Sequence, residues 1–158
     1  MGQAVTINSR ILEGLYCEAL VLSDEVRHTF TLSTRQDASE GHVGCEDDRV
    51  RVALSCEGLR TTTRMMHAVA WLLNHRAYFM GELSEFQLRR HGRLMAEMCR
   101  SDPEQLQLLT AETQALVKTT LRFYNRLLRL DRSWREAGEE APSAIASLRE
   151  RLEQRLAG

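Results

Sequence analysis

Leu54-Ser-Cys-Glu-Gly-Leu-Arg-Thr-Thr-Thr-Arg-Met-Met-His-Ala-Val-Ala-Trp-Leu-Leu-Asn-His-Arg-Ala-Tyr-Phe-Met80 contains no proline and one glycine, and its apolar residues recur at helical spacing. One stripe holds Leu54, Thr61, Met65, Ala68, Leu72 and Phe79, and a neighbouring one holds Leu59, Thr62, Met66, Val69, Leu73 and Met80. Residues three and four apart share a helix face, so this segment is a helix with an unusually wide apolar side. One amphipathic neighbour cannot cover such a face, which places the helix at the centre of a bundle, in a dimer interface, or both. A start near Asp47 or Asp48 and a stop at Gly81 give a rod of about 48 Å, at about 1.5 Å per residue. Beside the apolar stripes run Arg60, Arg64, His67, Trp71, Asn74 and Tyr78, with Thr63 next to them. Arginine, tryptophan and tyrosine concentrate at interface hot spots, so these residues are candidates for partner binding, set against a role in simply edging the core.

Working outward, a first helix is expected from Ser9 to Ser33, capped by Asn8 or Ser9, with Leu15, Ala19, Leu22, Val26 and Phe30 on one stripe. Thr34 to Asp48 is polar with two glycines and reads as a loop. After Gly81, Ser84-Glu-Phe-Gln87 reads as a capping box opening a short basic helix, with Leu88, Leu94, Met95 and Met98 inside. Asp102-Pro-Glu-Gln105 opens a third long helix, expected to reach Arg135 along Leu106, Leu109, Thr113, Leu116, Thr120, Phe123, Leu127 and Trp134. The expected fold is all-α: an antiparallel bundle of three long helices with a short extra helix, spanning residues 1–136. Residues 137–158 read as a linker and an amphipathic tail, whose Ile145, Leu148, Leu152 and Leu156 keep helical spacing and could dock into a partner's groove.

Composition narrows the functional classes. The 158 residues fit one domain, and a formal net charge of −1 lacks the positive excess of a nucleic-acid-coating protein. No uncharged apolar run approaches the roughly 20 residues of a membrane span. Met1 to Arg10 lacks the basic start and apolar block of a secretion signal, so the expected location is the cytoplasm, with Cys17, Cys45, Cys56 and Cys99 as thiols. His42-Val-Gly-Cys45 has a tolerable ligand spacing, but no second close pair completes a metal site, and His28, His67, His75 and His91 are scattered. Nucleophile elbows and phosphate-binding glycine loops are absent. No enzyme, cofactor or metal is expected.

The run Cys56 to Glu82 resembles the signature helix of the alphaproteobacterial RcdA family, the regulators of CtrA degradation. The resemblance lies in Glu57, Leu59-Arg60, Thr62-Thr63-Arg64-Met65-Met66, Ala70-Trp71-Leu72-Leu73, Arg76-Ala77 and Gly81-Glu82, with Glu18-Ala-Leu, Tyr124 and Leu130-Asp131 in the flanks. It covers about residues 10 to 136. It implies a homodimeric helical bundle acting as a non-catalytic adaptor in cell-cycle proteolysis. Its implied partners are the ClpX–ClpP unfoldase-protease, a response-regulator-like adaptor and protein cargo. The alternative is a small helical DNA-binding or transcription-associated regulator, suggested by Arg89-Arg90-His91-Gly92-Arg93 on a short capped helix and opposed by the net charge.

Overall fold

Asn8 starts the first helix: its Oδ1 accepts the Ile11 amide at 2.8 Å, satisfying one donor of the open first turn. The computed structural model describes residues 7–39, 44–140 and 151–155. Helix α1, Ser9–Ser39, buries Leu15, Ala19, Leu22 and Val26, with Phe30 half-buried on the same stripe. It continues six residues past the expected end at Ser33. The stretch from Thr34 is polar, but no glycine or proline interrupts it before Gly41, so polarity alone does not end the helix. The rest of that expected loop, through Val43, lies outside the described residues.

Helix α2, Cys45–Phe79, begins earlier than Asp47 or Asp48, with extended Gly44 as its cap and no side-chain cap bond. Glu46, Asp47 and Asp48 instead occupy the first turn, where carboxylates favour the positive end of the helix dipole. Its end matches the sequence reading. Gly81 adopts φ +79°, its amide donates to Tyr78 at 3.0 Å, and the Glu82 amide donates to Ala77 at 2.9 Å. This paired closure requires a left-handed residue, which glycine supplies without strain.

The Ser84–Gln87 capping box forms, with the Gln87 amide donating to Ser84 Oγ at 3.2 Å and the Ser84 amide to Gln87 Oε1 at 2.9 Å. It opens α3, Glu85–His91, which stops at Gly92. A 3-10 turn follows at Ala96–Cys99 and leaves Met95 46% exposed, not inside as expected. Asp102 caps α4, Pro103–Gln107, by accepting the Glu104 and Gln105 amides. The third long helix does not continue from there. The chain breaks at Leu108–Thr110 and restarts as α5, Ala111–Glu140, where Thr110 Oγ1 accepts the Thr113 amide at 3.3 Å. The restart threonine gives an alternative partner to a first-turn donor, which is how short hydroxyl side chains interrupt helices.

α5 also passes the expected boundary at residue 136 and runs to Glu140. Gly138, read as the start of a linker, lies within it, and Arg89 is laid so closely across it that a Cβ there would meet the guanidinium. Residues 141–150 and 156–158 are outside the described set, so Ile145, Leu148 and Leu156 of the expected docking tail are too; Leu152 sits in a helical stretch, 59% exposed.

α1 and α2 are antiparallel and form the most extensive helix pair: Arg76 near the end of α2 meets Glu13 near the start of α1, while Gly58 lies against Phe30. The third long helix departs from the antiparallel expectation. Arg64 meets Thr120 and Trp71 meets Asp131, so α2 and α5 run in the same direction. The return is made by α3, the 3-10 turn and α4. Arg89 reaches Arg135 at one end, Met95 meets Tyr124 midway, and Gln105 meets Arg60 towards the other. Because that connector spans the bundle, α5 starts again at the end where α2 started. The core joins Leu12, Leu15 and Leu22 of α1 to Met65, Ala68 and Leu72 of α2 and Phe123, Tyr124 and Leu127 of α5. Among the described residues every regular element is a helix.

Candidate docking surface

The polar stripe on α2 faces inward. Arg64 is fully buried: Nε donates to the Met98 carbonyl at 2.8 Å and Nη1 to Thr120 Oγ1 at 3.0 Å. Its Nη2 lies 3.9 Å from Glu57 Oε1, itself fully buried, and Thr61 Oγ1 donates to that same oxygen at 3.2 Å. Arg60 closes the network from the rim, donating to Gln105 Oε1 at 2.9 Å and lying 3.5 Å from Glu57 Oε2. Burial lowers the Arg64 pKa and the Glu57 carboxylate opposes that shift; the guanidinium remains a cation.

Seven residues along, Trp71 is 2% exposed, and its Nε1 donates to Asp131 Oδ1 at 2.9 Å. The other Asp131 oxygen accepts from Arg135 Nε at 3.0 Å. His75, fully buried, lies between Trp71 and Trp134 at centroid distances of 3.9 and 5.4 Å. A carbonyl can only accept, so its Nδ1 donates to the Trp71 carbonyl at 3.0 Å, leaving Nε2 as a buried acceptor without a hydrogen-bond partner among the described residues. Burial holds the His75 pKa below its ordinary value. Tyr78 packs edge-on to Trp134, while Thr63, His67 and Asn74 are half-buried. The expectation that Arg64 and Trp71 offer themselves to a partner is therefore corrected: both are buried, and their polar ends turn to the connector and to α5. Helical spacing identified the stripe without revealing which neighbour would cover it.

The second apolar stripe is the one left open. Leu59, Met66, Leu73 and Met80 are 71%, 66%, 43% and 69% exposed. Part of this stripe, with Leu20 and Phe30 of α1, lines a groove of about 980 Å³ between α1 and α2. The α1 wall also carries Arg27 and Arg35; the α2 wall, from Thr62 to Leu73, contributes no charged lining residue. Arg27 pairs with Asp24 at 2.6 Å, and both side chains are largely exposed. The excess of apolar surface was readable in the sequence. Part of the α1 half was missed, because Leu20 falls outside the stripe that defines the buried face of that helix.

The remaining candidates occupy other parts of the molecule. Arg89 of the basic cluster is drawn inward, over the Trp134 ring at 4.8 Å and bonded to Glu85, whereas Arg90, His91 and Arg93 are exposed. His42 lies outside the described residues and Cys45 is exposed. All four cysteines are free thiols, and burial raises the pKa of Cys99, whose Sγ lies 3.3 Å from Asn125 Oδ1. Among the described residues no three His, Cys, Asp or Glu side chains gather as metal ligands would, and no helix is long and apolar enough to cross a membrane.

A family model described as a protein of unknown function, DUF1465, matches residues 3–156. No curated protein and no solved structure matches the chain.

Proposed function

The chain belongs to the DUF1465 family, and we propose that it is a non-catalytic adaptor assisting regulated proteolysis by the ClpX–ClpP protease in cell-cycle control, in the cytoplasm. The observation that carries the adaptor reading is the open apolar groove between α1 and α2. Exposed apolar surface rimmed by polar side chains marks sites of protein interaction, and Met66, Leu73 and Leu20 at 66%, 43% and 46% exposure form such a surface. The resemblance of the Cys56–Glu82 run to the RcdA family supplies the biological setting. The same resemblance implies a homodimer, a response-regulator-like adaptor primed on the unfoldase, and a bound cargo.

The physical work of an adaptor is tethering. A cargo held beside an unfoldase by a short flexible link sees it at an effective concentration on the order of millimolar, with no chemistry supplied by the tether. A rigid bundle suits this role, because its surfaces keep a fixed separation while partners exchange. The test is degradation of cargo by purified unfoldase, protease and priming adaptor, with and without this protein. Adaptor function predicts faster turnover that saturates with added protein and declines at excess, when cargo and unfoldase are bound by separate molecules. Turnover that ignores the protein at every concentration removes the reading.

A further inference from the structure

We propose that the α1–α2 groove seats an amphipathic helix from a protein partner, with acidic residues along the edge that faces α1. The inference rests on the adaptor reading and names the kind of segment its docking surface takes. Between Leu20 and Arg35 the groove follows about four turns of α1, roughly 22 Å, which matches a helix of about 15 residues. Its floor and α2 wall are apolar, so an occupant inserts side chains at three- and four-residue spacing, the usual pattern of helix-in-groove recognition.

Charge selects among occupants. Among the described residues the charged groups lining the groove are Arg27 and Arg35, both on α1 and about 12 Å apart along that helix. Carboxylates some two turns apart on one edge of the incoming helix meet both, and the uncharged α2 wall makes the arrangement one-sided. Arg27 already shares its charge with Asp24 in an exposed pair, so Arg35 carries the larger part of the discrimination. A second copy fits less well: among the described residues the groove lining offers no carboxylate to a copy's Arg27 or Arg35.

The experiment uses the full chain and two labelled helical peptides of about 16 residues. Both carry leucines at three- and four-residue spacing; one has glutamates on one flank and the other has lysines there. Fluorescence anisotropy is expected to show the glutamate peptide binding about tenfold more tightly at low salt, with the preference collapsing near 0.5 M salt. Arg35→Glu is expected to reverse the preference, and Met66→Glu to weaken both peptides while helicity by circular dichroism is retained. Equal binding of the two peptides overturns the charge assignment. A dimer in sedimentation that Met66→Glu converts to monomer, with neither peptide binding, gives the groove to a second copy and overturns the proposal. Cargo turnover that Met66→Glu leaves untouched likewise overturns it while sparing the adaptor reading. Selective peptide binding without any effect of the protein on turnover upholds the groove and removes the adaptor reading.

Discussion

Arg64 and His75 pose two different problems of buried charge. Arg64 is held as a cation by a carbonyl, two threonines and the Glu57 carboxylate, so removing it leaves that carboxylate in the interior with less compensation. We expect Arg64→Ala to cost about 3 to 5 kcal/mol in denaturant unfolding, the usual penalty for breaking a buried ion pair from one side. The double replacement Arg64→Met with Glu57→Gln should recover a large part of the loss, because no fully buried charge then remains at that site and Arg60 stays at the rim. His75 avoids charge altogether. Its folded pKa lies below 6.5, so as the pH falls below that value the unfolded chain takes up a proton that the folded chain refuses. Stability should therefore be full above about pH 6.5 and decline as the pH drops towards the lower folded value, and His75→Gln should flatten that part of the profile. Neither role was legible in the sequence. The spacing of Arg60, Arg64 and Trp71 defines a line on a helix, and only the path of the connector decides that this line is covered.

The helices themselves were largely legible, because their starts and stops depend on local chemistry. Asn8, Ser84, Asp102 and Gly81 act where the sequence places them, each satisfying or releasing backbone groups within one turn. What local chemistry could not give was the direction of α5, since that depends on how far α3, the 3-10 turn and α4 carry the chain back. Two glycines allow a test of helix packing. Gly14 of α1 has open space around the position a Cβ would take, so Gly14→Ala should stabilise by about 0.5 to 1 kcal/mol through helix propensity alone. Gly58 of α2 gains the same propensity, but its Cβ would stand 2.9 Å from the Phe30 ring. Overpacking of this kind costs about 1 to 3 kcal/mol, so Gly58→Ala should be neutral to destabilising, with a lower thermal midpoint than Gly14→Ala. The opposite ordering would mean that α1 yields easily at that crossing.

For the molecule as a whole, the apolar surplus of α2 was visible in its two stripes, but the site it builds was only half visible, since α1 contributes Leu20, Arg27 and Arg35 from beyond its own buried stripe. The described part of the tail, residues 151–155, is exposed along its whole length, so Leu152→Ala should shift the unfolding free energy by less than about 0.5 kcal/mol. A larger loss in urea titration would mean that the tail packs on the bundle. Finally, both tryptophans of the chain, Trp71 and Trp134, flank His75 at one end of the bundle, whereas the small cluster of Ala53, Leu54 and Leu109 at the other end contains no indole. Intrinsic fluorescence therefore watches one end only, and melting that begins at the opposite end would register in ellipticity while the emission spectrum stayed still.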